Sequence, residues 1–217
     1  MLSIVHRRHV AAALASVLAA ATLTINLVVP AAAREVSHGS FQARVAQVVW
    51  GQVDLETGAG TWGIVAAFDQ DDFEGISLFE QTAVAVDCGE YSSLSGTFRL
   101  GDDFAPAELE VARNLSSASA AGTMTIITGT FDGCLELWEV TSVEEGVSVS
   151  LDLVATGSRE NVTDRYMESL PGEYRAMQVN RTQSRAASGS VLVGGEAVAF
   201  DQALISKHAG SFHFIGH

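Results

Sequence analysis

The sequence predicts an all-β domain, either an antiparallel β-sandwich or an up-and-down barrel, and three observations carry that prediction. Apolar and polar residues alternate in short runs, the period of a half-buried strand. In Val147-Ser148-Val149-Ser150-Leu151-Asp152-Leu153 every odd position is apolar and every even one polar. Gly, Asp and Ser separate the runs, whereas Pro is scarce, with only Pro106 and Pro171 after Pro30. Few windows keep helical spacing over ten residues, so many short strands with regular turns are the pattern to explain.

In chain order, strands are expected at Phe41–Val53, Trp62–Phe68, Ile76–Cys88, Ser92–Leu100, Ala107–Arg113 and Leu115–Thr128. Further strands are expected at Cys134–Thr141, Val147–Leu153, Tyr174–Thr182, Ala187–Val193, Ala197–Ser206 and Ser211–Ile215. Glu56-Thr57-Gly58, Asp132-Gly133 and Glu144-Glu145-Gly146 have the composition of hairpin turns. Ser158–Glu173 is the longest stretch without clear alternation and reads as a loop of mixed charge, with Arg159, Arg165, Tyr166 and Glu168 as candidate binding residues.

Ahead of these strands lies an export pattern. The basic cluster His6-Arg7-Arg8-His9 precedes an uncharged run from Val10 to Val29, and Pro30 and Ala31-Ala32-Ala33 follow. A charged start, an apolar middle and an A-x-A end are the signature of a cleaved signal peptide, here residues 1–33, which leaves 34–217 as a single all-β domain. The alternative is an uncleaved anchor, since about 20 apolar residues can span a bilayer. The arginine pair is compatible with twin-arginine export as well as with the general route. The expected location is extracellular. A single lysine beside freely used Arg, Ala, Gly and Val has the look of a bacterial, GC-rich source.

The whole chain carries a formal charge of −14, from 12 Lys and Arg against 26 Asp and Glu. Because the leader holds two of those cations and no acid, the exported part is more acidic still. Such a balance repels nucleic acid and anionic membrane surfaces. The only two cysteines, Cys88 and Cys134, both fall in the exported part. In an oxidising compartment they are expected to pair. Closing a loop of about 47 residues contributes up to about 4 kcal/mol in the chain-entropy account.

Few residues point to chemistry. Asp69, Asp71, Asp72 and Glu74 form the densest carboxylate cluster and are the candidate ligands for Ca²⁺, which takes six to eight oxygens. Glu74 stands where an EF-hand loop needs Gly, and a solvated acidic turn is the competing reading. Apart from Ca²⁺, no cofactor is expected. His208, His213 and His217 gather near the C-terminus, but 213 and 217 would lie about 13 Å apart along a strand, too far for one ion. There is neither a G-x-S-x-G elbow nor a Gly-Lys-Ser/Thr phosphate loop. No catalytic residue is assigned.

A strand with Ser-Ala-Ser-Ala-Ala-Gly-Thr within Leu115–Ile127, then Val-Ser-Val-Ser-Leu-Asp-Leu-Val-Ala-Thr-Gly, then Arg-Ala-Ala-Ser-Gly-Ser-Val within Ser184–Val193 together resemble a loose group of short secreted β-proteins of Gram-positive, actinobacteria-like bacteria. The resemblance covers the C-terminal half, implies an exported protein outside housekeeping metabolism, and carries no activity or functional residue. The expectation is thus an exported, non-catalytic domain that binds a protein, a glycan or a small apolar ligand. An apolar-ligand barrel would have a cavity lined by residues such as Trp62, Phe68, Phe79 and Trp138. The alternatives are a secreted hydrolase with a carboxylate-based site and a secreted inhibitor presenting the 158–173 loop.

Overall fold

A computed structural model of the chain describes residues 36–70, 73–101, 105–170 and 174–216; the expected leader lies outside them. It consists of eleven strands: β1 (Val36–Val53), β2 (Gly60–Gln70), β3 (Phe73–Asp87), β4 (Ser92–Gly101), β5 (Ala107–Val111), β6 (Ser117–Asp132), β7 (Leu137–Ala155), β8 (Glu160–Leu170), β9 (Tyr174–Val193), β10 (Glu196–Ala197) and β11 (Gln202–Gly216). All pairings between them are antiparallel.

The pairings close on themselves. β11, β1, β2, β3, β4, β6, β7 and β9 are hydrogen-bonded in that order, and β9 returns to β11. Of the two expected architectures this is the up-and-down barrel, in which closure removes sheet edges. The short strands β5 and β10 add to β6 and β9, β5 continuing the wall with Leu109 in its core, and β8 pairs with β9. The interior wall follows from strand alternation. Ala46 and Val48 of β1 face Ala67 and Val65 of β2, which face Ile76 and Leu78 of β3. Ile126, Met124, Ala120 and Ala118 of β6, Leu151 and Leu153 of β7, Val191 of β9 and Ile205 of β11 complete the same buried cluster. Each fully buried Leu or Ile contributes about 1.5–3 kcal/mol. Outside, β6, β7 and β9 present Ser119, Asp152 and Ser190 in register.

Several expectations change. The presumed turn at Glu144-Glu145-Gly146 is part of one strand, β7. Met124 pairs with Val147 and Ile126 with Glu144, so Thr125 opposes two residues, and Gly146 takes a φ of 68°. That is a β-bulge, which adds a residue without ending the strand. A second extra residue, Thr141, donates its hydroxyl to the Thr128 carbonyl at 3.1 Å. The two runs at Tyr174–Thr182 and Ala187–Val193 are likewise one strand, as are most of the last two. The expected loop Ser158–Glu173 contains an eleven-residue strand, β8, exposed throughout and paired with β9. It alternates poorly because neither face is buried.

Trp62, Phe68 and Phe79 alternate with the interior Val65, Ala67 and Leu78, so they sit on the outer wall rather than around a cavity. Trp62 and Phe79 rings lie 5.0 Å apart, and Phe98 continues the outer ladder to Trp138 at 6.0 Å. The disulfide Cys88–Cys134 is formed, with a Cα separation of 5.2 Å. It joins the β3–β4 and β6–β7 turns at one rim. At the opposite rim β1, β11, β9 and β8 run on past the ring as a projecting four-stranded sheet whose inner face continues the barrel wall.

Candidate functional site

The site is the base of that projection, where the apolar interior gives way to cations. Register places Arg44 of β1 beside Lys207 of β11, and Lys207 beside Gln183 of β9. One row further out are Gln42, Ala209 and Arg181. These residues, with Ser40 and Asp69, line an open cavity of about 750 Å³. The β5–β6 turn lies against it. Its Leu115 is fully buried in the barrel cluster with a φ of 60°, an uncommon conformation for a bulky residue. Lys207 Nζ donates to the Arg113 carbonyl at 3.0 Å and Arg159 Nη2 to the Asn114 carbonyl at 3.1 Å, which holds that turn over the rim. Arg185 donates from Nε and Nη2 to the Gly157 carbonyl at 2.9 and 2.8 Å, fixing the β7–β8 connection.

Positive charge is therefore concentrated here. Burial and then the neighbouring Arg44, Arg159 and Arg113 push the Lys207 ammonium below its ordinary range. Among the described residues one carboxylate answers it: Asp69 accepts from both Nε and Nη2 of Arg44. Among the described residues neither Lys207 nor Arg181 has a carboxylate within ion-pair distance.

Of the expected Ca²⁺ cluster, Asp69 and Glu74 are cross-strand partners, each with its own hydrogen-bond partner: Asp69 is engaged by Arg44, and Glu74 Oε1 accepts the Leu109 amide at 2.5 Å. Asp71 and Asp72 lie outside the described residues. The candidate binding residues separate. Arg159 belongs to the mouth, while Arg165, Tyr166 and Glu168 stand further out on β8. Tyr166 donates to Glu168 Oε2 at 3.2 Å, and that carboxylate pushes the phenol above its usual range. His208 lies on the reverse face, its ring nitrogens 3.1 Å from Thr182 Oγ1 and 3.0 Å from Ser206 Oγ. Among the described residues these two hydroxyls, not a carboxylate, are its hydrogen-bond partners.

Sequence reasoning missed Arg44, Arg181, Arg185 and Lys207. They are single charges spread over three strands, β1, β9 and β11, and only the register unites them. No family model, curated protein or solved structure matches the chain. The likeness to short secreted β-proteins thus stays one of strand pattern, and the site rests on its own geometry.

Proposed function

We propose that this is an exported, non-catalytic binding domain whose basic mouth holds a small organic or inorganic anion bearing carboxylate or phosphate groups. The observation that supports this reading is the gathering of six cations, Arg44, Arg113, Arg159, Arg181, Arg185 and Lys207, at one rim of a chain whose net charge is −14. Crowded like charges at the mouth of an apolar wall cost folding energy that an anion would recover. Gln42, Gln183 and Ser40 supply neutral polar groups around the same cavity.

Thermal melts and calorimetry at low ionic strength test the reading with phosphate, citrate and glucuronate against glucose. The anions are expected to raise the melting temperature and the neutral sugar to leave it unchanged, with the effect shrinking in salt. Lys207→Glu combined with Arg181→Glu should abolish the response, while Arg99→Glu, far from the mouth beside Glu80, should retain it. Absence of any anion response, or a response indifferent to the double substitution, overturns it.

A second reading has one observation in its favour. β8 is exposed over its whole length, and among the described residues only one of its edges is paired. An extended segment of a partner protein could add to the other. In that case a captured partner would survive the Lys207 and Arg181 substitutions and be lost when a proline enters β8.

A further inference from the structure

Towards the tip of the projecting sheet, register assembles a second set of side chains. His38 of β1 pairs with His213 of β11, His213 with Met177 of β9, and Met177 with Met167 of β8. Directly opposed residues of antiparallel strands point to the same face, so two imidazoles and two thioethers stand in one row across four strands. The two histidine rings already lie together, centroids 4.2 Å apart and 30° from coplanar. The methionines have no evident packing role: Met167 is 65% and Met177 39% exposed, whereas Met124, the remaining methionine among the described residues, is buried in the barrel. Exposed thioethers beside an exposed imidazole, His38, and a half-buried one, His213, are metal-competent groups held by backbone pairing.

The geometry points to a site for monovalent copper. Among the described residues no three His, Cys, Asp or Glu side chains converge on a metal position. A site here reaches three ligands only by using sulfur, and thioether sulfur selects soft ions such as Cu(I) over Zn²⁺, Ca²⁺ or Mg²⁺. With strands about 4.8 Å apart, an ion above β11 is within reach of His213 directly below it and of His38 and Met177 on either side. Met167, one strand further, is a fourth ligand at the edge of reach. Its sulfur lies 3.9 Å from Arg175 Nη2, a contact that would have to open for it to bind. This row lies six positions along β1 from Arg44, about 20 Å at strand rise, so the site is independent of the anion mouth. The strongly acidic chain favours a cation overall.

Competition of the whole purified chain against the coloured Cu(I)–bicinchoninate complex tests this, under ascorbate and with no thiol reductant, because thiols freed at Cys88 and Cys134 would themselves take Cu(I). The expected result is one equivalent of Cu(I) withdrawn from the dye and a sulfur shell in copper X-ray absorption. Met177→Leu and His213→Gln should each weaken binding at least tenfold, and Met124→Leu should not change it. His6 and His9 are common to all variants, so these differences isolate the row. Failure to withdraw Cu(I), or withdrawal that neither substitution weakens, or a coordination shell of nitrogen and oxygen alone, overturns the proposal.

Discussion

His208 is held between Ser206 and Thr182, and its half-buried ring resists protonation because burial penalises the charge. The two hydroxyls can accept from an imidazolium, so desolvation rather than lost hydrogen bonds sets the shift. The folded state therefore binds fewer protons at this site than the unfolded one just below pH 6.5, where an unperturbed histidine titrates. Stability from this group is present above that value and declines as pH falls through the lower folded value. Melts taken between about pH 7 and pH 5 should show falling stability, and His208→Gln should flatten that slope; an unchanged slope would remove the desolvation account. At this scale sequence was uneven. Cys88 and Cys134 could be matched because no other cysteine exists. His213 was grouped with its sequence neighbours His208 and His217, yet its partner is His38, at the far end of the chain. No local pattern encodes that register.

Element by element, the strand signal located every barrel stave but divided the long ones. Alternation persists where one face lines the interior, as in Val147–Leu153, and fades where a strand passes a bulge or leaves the barrel. β8 is the extreme case, since a strand exposed on both faces has no hydrophobic constraint to display. Gly146 had the look of a turn because it adopts a turn-like, left-handed backbone inside β7. Nothing lies within 4 Å of where its Cβ would be, so substitution there measures backbone conformation alone. Gly146→Ala is expected to lower stability by about 1–2 kcal/mol, read by denaturant unfolding. Gly146→Asn should recover part of this, because Asn tolerates the left-handed region. Equal stability of all three proteins would mean that the bulge relaxes into regular pairing. The aromatic residues illustrate the opposite error. Their alternation was clear, but which face of the sheet became the inside was not. Small residues, Ala46, Ala67, Ala118 and Ala120, line part of the narrow interior, while Trp62, Phe79 and Phe98 cover it from outside.

For the whole molecule, ring closure and the disulfide do separate jobs at opposite ends. Hydrogen bonds from β7 to β9 and from β9 to β11 complete the barrel irrespective of the cysteines. The Cys88–Cys134 link ties together two turns of the rim remote from the cationic mouth, across a separation of 46 residues. Its main effect should be to restrict the unfolded chain, contributing up to about 4 kcal/mol. For a domain of this size that corresponds to a fall of roughly 8–16 °C in melting temperature on reduction. A Cys88→Ser, Cys134→Ser double variant should melt at the temperature of the reduced protein and be insensitive to dithiothreitol. Below that temperature its anion response should equal that of the oxidised protein, because no stave contributing to the mouth is anchored by the link. Loss of the anion response in a variant that remains folded would show that the two rims are coupled through the barrel. An unchanged melting temperature would instead leave the closed hydrogen-bonded ring as the sole source of the protein's cooperativity.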